Sequence, residues 1–82
     1  MQAIVTKYIG PGNVKGARIK ATANSGSETV SLQYELNLED RHAYAALALA
    51  RKMGWRGELI AGGMPDGSGY VFVFSEGKRY VA

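Results

Sequence analysis

Lys7, Lys15, Arg18 and Lys20 are the only charged side chains in the first 27 residues, and the first carboxylate is Glu28. Cations with no acid among them can do one kind of chemistry well: they attract and hold an anion. Thr22, Thr29, Ser31 and Gln33 follow within a short distance and supply hydrogen-bonding groups. Diffuse positive charge combined with short polar donors is what a phosphate backbone requires. The candidate binding surface is therefore Lys7, Lys15, Arg18, Lys20, Thr22 and Gln33. The competing account is that lysines on an exposed strand only discourage edge-to-edge aggregation.

Other residues with chemical potential lead elsewhere. His42 is the single histidine and there are no cysteines. No zinc site or disulfide can be assembled from that set, and neither a metal nor a cofactor is expected. Helical spacing places His42 on an apolar face between Leu38 and Ala46, as a satisfied semi-buried residue rather than a general base. No nucleophile and no orienting carboxylate accompany it. The run Gly10-Pro11-Gly12-Asn13 through Gly16 is glycine-rich but is not a phosphate cradle. Lys15 precedes Gly16 and a strand follows, where a phosphate loop has Gly-Lys-Ser/Thr leading into a helix. Trp55 reads as a packing anchor, and Arg41 and Tyr44 as exposed. Arg51, Lys52 and Arg56, and Lys78-Arg79 with Tyr80, form further basic spots whose relation to the first patch depends on strand order. The expectation is a binding surface without catalytic residues.

The elements that must position these groups follow from periodicity. Gln2–Ile9 is rich in β-branched and aromatic residues and predicts a strand. Lys15–Ala23 alternates, with Ala17, Ile19, Ala21 and Ala23 on one face and Arg18, Lys20 and Thr22 on the other. Asn24–Ser27 is a turn. Glu28–Tyr34 alternates again, with Val30, Leu32 and Tyr34 inward. Asn37 is a helix N-cap, with Glu39 and Asp40 in the first turn and Arg51 and Lys52 in the last. Gly54 and Trp55 suit a Schellman ending. Leu38, Ala45, Ala46, Leu49 and Met53 form the apolar stripe. Arg56–Ala61 and Tyr70–Phe74 are strands joined by the glycine-rich loop 62–69. Ser75–Lys78 reads as a turn, and Arg79–Val81 as a short last strand. The fold class is α+β: one domain over residues 1–82, an antiparallel sheet on one helix, in the order β-β-β-α-β-β. Tyr70–Phe74 is apolar on both faces, and one helix covers only one of them. The C-terminal segment, sheet curvature or a second subunit should cover the other, the last making a homodimer through this strand.

Bulk composition is consistent with this. The chain has 82 residues, 46% hydrophobic and 21% charged, with a formal charge of +3. Residues 28–82 hold six bases and seven acids, so the excess positive charge sits in the N-terminal third. No apolar stretch approaches the ~20 residues of a membrane span, and the N-terminus has no signal-peptide core. The expected location is the cytoplasm.

The segments KYIGPGNVKGARIKA, RKMGWRGELIAGG and GYVFVF together resemble a group of small basic proteins encoded by phages, plasmids and bacterial mobile elements. The resemblance runs from about Met1 to Phe74 and rests on turn glycines, a basic strand and a helix ending. It makes residues 75–82 look like a C-terminal extension. It implies a setting, a mobile element in a bacterial host, and no catalytic residue. In that setting the expected role is inhibition of a host nucleoprotein complex, similar in style to anti-CRISPR proteins. The alternatives are direct nucleic-acid binding, since β-β-β-α order resembles the arm domains of some phage integrases, and homo-oligomeric assembly.

Overall fold

The computed structural model describes residues 2–12, 16–76 and 79–82. Its elements are β1 (Ile4–Ile9), β2 (Arg18–Ala23), β3 (Gly26–Ser31), α1 (Leu38–Met53), β4 (Leu59–Gly63) and β5 (Gly69–Phe74). The five strands form one antiparallel sheet in the order β3-β2-β1-β5-β4. This is the expected α+β fold, order β-β-β-α-β-β. The chain leaves the sheet at β3, one edge, and returns at β4, the other. β5 then inserts between β4 and β1, so β1 lies at the centre.

The helix forms where its caps allow. The Asn37 side chain accepts a hydrogen bond from the Asp40 N–H at 2.9 Å, satisfying one of the first-turn donors. Gly54 takes the left-handed conformation at φ 73°. Trp55 N–H then donates to the Ala50 carbonyl and Gly54 N–H to that of Arg51, the paired bonds of a Schellman ending. His42, Ala45, Ala46, Leu49 and Ala50 are buried against the sheet. Their small volume lets the helix lie close over Ile4, Ile19, Ala21, Phe72 and Phe74, which complete the core. Leu38 departs from the expected stripe and is 58% exposed, because it stands at the first helical position beyond the sheet.

Strand boundaries differ from the periodic reading for identifiable reasons. Gln2 is outside β1, and its amide instead brackets Ser25, accepting from the backbone N–H and donating to the hydroxyl. That clamp holds a two-residue turn at Asn24-Ser25, so Gly26 and Ser27 already belong to β3. β3 ends at Ser31, three residues early. Arg41 donates to the carbonyls of Gln33 and Tyr34, both at 2.9 Å, drawing that segment toward the helix. Tyr34, expected inward, is consequently 71% exposed. β4 starts at Leu59 rather than Arg56, since Gly57, at φ 126°, is still turning the chain from the helix to the sheet edge. Gly69 begins β5 at a place where a Cβ would collide with the Thr6 carbonyl of β1. Residues 79–82 carry no strand, and Val81 is 97% exposed, so the expected last strand is not formed. Of the expected turn 75–78, Gly77 and Lys78 lie outside the described residues.

Candidate binding surface

One face of the sheet receives the helix; the other is open. Alternation along each strand decides which residues it carries. On β1 they are Val5, Lys7 and Ile9; on β2, Arg18, Lys20 and Thr22; on β3, Ser27, Thr29 and Ser31. The register aligns them into rows. Lys7 stands opposite Lys20, and Lys20 opposite Thr29; Arg18 stands between Ile9 and Ser31; Thr22 stands between Val5 and Ser27. No residue of these strands' open face is acidic. Glu28 lies on the helix side, where it meets Lys52 at 3.4 Å.

The electrostatics of the central row point outward. Lys7 and Lys20 sit directly across a strand pair with Cα atoms about 5.5 Å apart. Like charges in that position destabilise the sheet. Asp66, in the turn between β4 and β5, feels the Lys7 charge. Its carboxyl is held below the usual range, mainly by hydrogen bonds from Ser68 and least by the Lys7 charge. Among the described residues neither Lys7 nor Lys20 forms an ion pair. A shallow depression of about 650 Å³ lies over them, lined also by Val5, Thr22 and Asn24. A second, of about 370 Å³, is lined by Arg18, Ser31 and the exposed Tyr34. The Arg18 Nε–H is buried and has no hydrogen-bond partner among the described residues.

Four of the expected surface residues, Lys7, Arg18, Lys20 and Thr22, are therefore brought together on one face. Lys15 lies outside the described residues. Gln33 is not on the strand. Its amide folds back and donates to the Ser31 carbonyl at 3.1 Å, so it caps the sheet edge. Arg41, expected as exposed contact surface, is engaged with the 33–34 carbonyls and stacks over Tyr34 at 5.6 Å from the ring centroid. Periodicity concealed Tyr34 as a surface group. The only hint is Arg41 one turn into the helix, a long donor able to reach back to free carbonyls.

The remaining candidates fall elsewhere. His42 is 2% exposed, and its Nδ1 lies 2.7 Å from the Thr6 hydroxyl. That hydroxyl donates to the Tyr70 carbonyl at 3.3 Å, leaving its oxygen to accept from an Nδ1–H. Burial lowers the His42 pKa from its ordinary 6.5, so the neutral ring is the packed form. Its ring tilts against Tyr70, with centroids 4.9 Å apart. Trp55 meets Phe74 edge-on at 6.1 Å, as a packing anchor. Arg51, Trp55 and Arg56 line one depression at the helix C-terminus, separate from the open face. Among the described residues no cluster of His, Asp or Glu is placed to hold a metal ion, and no helix is long and apolar enough to cross a membrane.

No family model, curated protein or solved structure matches the chain.

Proposed function

We propose that this chain is a non-enzymatic binding protein whose open sheet face takes the phosphate backbone of a nucleic acid. The carrying observation is the row Lys7–Lys20–Thr29, flanked by Arg18 with Ser31 and by Thr22 with Ser27. Two lysines held face to face cost the free protein stability that a bound polyanion returns. The hydroxyls alongside supply donors to phosphate oxygens, and the uncovered face leaves room for a backbone to lie across the strands. In the mobile-element setting that the sequence resemblance implies, that nucleic acid belongs to a host nucleoprotein complex in the bacterial cytoplasm. The protein then inhibits by occupying the complex, in the style of anti-CRISPR proteins.

Fluorescence anisotropy with a labelled duplex tests the contact. Three phosphates neutralised by Lys7, Arg18 and Lys20 give a salt slope of about −3, a loss of roughly 40-fold between 50 and 200 mM salt. The Arg18→Glu/Lys20→Glu double variant should lose binding at low salt while keeping its circular dichroism spectrum. A double variant that binds as tightly as the parent removes this face from consideration. Absence of binding by the parent at low salt removes the phosphate reading.

A further inference from the structure

The two edges of the sheet are finished differently. In β3 the bonds to β2 are made by Gly26, Glu28 and Val30, as the continuing pair Leu32 N–H to Ala17 carbonyl shows. The backbone groups of Ser27, Thr29 and Ser31 therefore point out of the sheet. Two of those carbonyls are capped: Lys52 Nζ donates to Ser27 at 3.0 Å and Gln33 to Ser31. In β4 the flanking bonds Ser75 N–H to Glu58 carbonyl and Met64 N–H to Gly69 carbonyl place Ile60 and Gly62 in the ladder. Leu59, Ala61 and Gly63 then present their N–H and C=O groups outward. No described side chain caps them, the strand holds no charge and no proline, and α1 packs mainly on the other four strands. Bare apolar edges of this kind pair with another strand.

β4 is complementary to itself. We infer that β4 pairs antiparallel with β4 of a second copy of this chain, about a two-fold axis through Ala61. That register sets Leu59 opposite the second copy's Gly63, and Ile60 opposite its Gly62. Each bulky side chain faces a glycine. All three outward residues enter hydrogen-bonded pairs. Ile60, 49% exposed, closes over Gly62 of the other copy and extends the apolar row with Val71 and the 44%-exposed Val73. The β2 strands end up about 34 Å apart, seven strand spacings away, beyond the ~10 Å screening length, so the basic faces do not oppose association. The pairing is independent of what the basic face binds. It is distinct from a dimer in which a second subunit covers the open face of Tyr70–Phe74, since it uses a strand edge. The edges of β5 are themselves paired, with β1 and β4.

Sedimentation equilibrium from micromolar to near-millimolar concentration tests the pairing. The expected mass rises from 8.8 kDa toward twice that value. A Cβ at Gly62 would make only an ordinary 3.7 Å contact with Val71, so Gly62→Glu is accommodated within the chain and sets like charges diagonally across the two-fold axis. It should hold the protein at monomer mass, as should Ala61→Pro, which removes an outward N–H alone. The chain has no cysteine. Ala61→Cys therefore provides one thiol per copy, about 5.5 Å apart between Cα atoms across the axis, and should oxidise to a covalent dimer where Thr29→Cys does not. A parent that stays monomeric throughout, or a dimer that survives Gly62→Glu and does not cross-link through Ala61→Cys, overturns the pairing.

Discussion

The open face of this sheet has two halves built to the same pattern with opposite chemistry. On β1, β2 and β3 the outward positions are Lys7, Arg18, Lys20, threonines and serines, with Val5 and Ile9 at the ends of β1; on β5 and β4 they are Val71, Val73, Ile60 and Gly62. Both halves obey strict alternation, and both back onto the same core. What differs is which groups are left unsatisfied. The first half has charge that forms no ion pair among the described residues, and its outer edge at β3 is capped by Lys52 and Gln33. The second half has no charge and an uncapped edge. The polar half thus offers side chains to a partner, and the apolar half offers backbone. One small sheet can present two kinds of surface because the strands that carry them meet only at the seam between β1 and β5.

That seam is where the comparison breaks first. Gly69→Ala should be the most damaging single change. Its methyl group has no room beside the Thr6 carbonyl, and relief requires β5 to move off β1. A loss of about 3 kcal/mol is expected by chemical denaturation, with both surfaces disrupted together. A loss below about 1 kcal/mol would show the seam to be compliant.

Thr6→Val should cost less, about 2 kcal/mol, by leaving the buried His42 Nδ1 without its hydrogen-bond partner. The same site sharpens the comparison through pH. His42 has a lowered pKa when folded, so below 6.5 the unfolded chain binds a proton that the folded chain resists. Stability is complete above that pH and declines as the pH falls from it toward the folded value. Denaturation midpoints measured between pH 7.5 and 5 should fall for the parent. They should fall less for His42→Gln, and a parent flat across this range would contradict the burial of the ring.

The smallest effect is the most specific to the polar half. Lys20→Ala removes one of two facing like charges, and should raise stability by a few tenths of a kcal/mol at low salt. It should also lower the salt slope of nucleic-acid binding by about one. The matching exposed substitution on the other half, Val73→Ala, should leave the salt slope unchanged. Equal responses at the two positions would erase the distinction between the halves.

Local rules read much of this protein from its residues. Asn37 and Gly54 mark the helix because a cap and a left-handed stop act within one turn. Arg18, Lys20 and Thr22 share a face because strand side chains alternate, whatever surrounds them. Element order follows from those signals, as does the absence of acids near the basic strand. Boundaries set by distant contacts were not legible. Ser25 turns where Gln2 clamps it, and Tyr34 leaves the sheet because Arg41 holds its carbonyl. Strand order was not legible either. Whether β5 joins β1 or the far edge is decided by side chains that meet only after collapse, among them Thr6, His42, Tyr70 and the glycine at 69. Periodicity could show that Tyr70–Phe74 is apolar on both faces, but not that both its edges are paired. The amino-acid sequence by itself determined the elements, their order and the charge of one face, since these depend on neighbours along the chain. The tertiary structure alone decided that Lys7 faces Lys20 and that β4, not β5, keeps a free edge, since those depend on pairing between segments that the chain order leaves open.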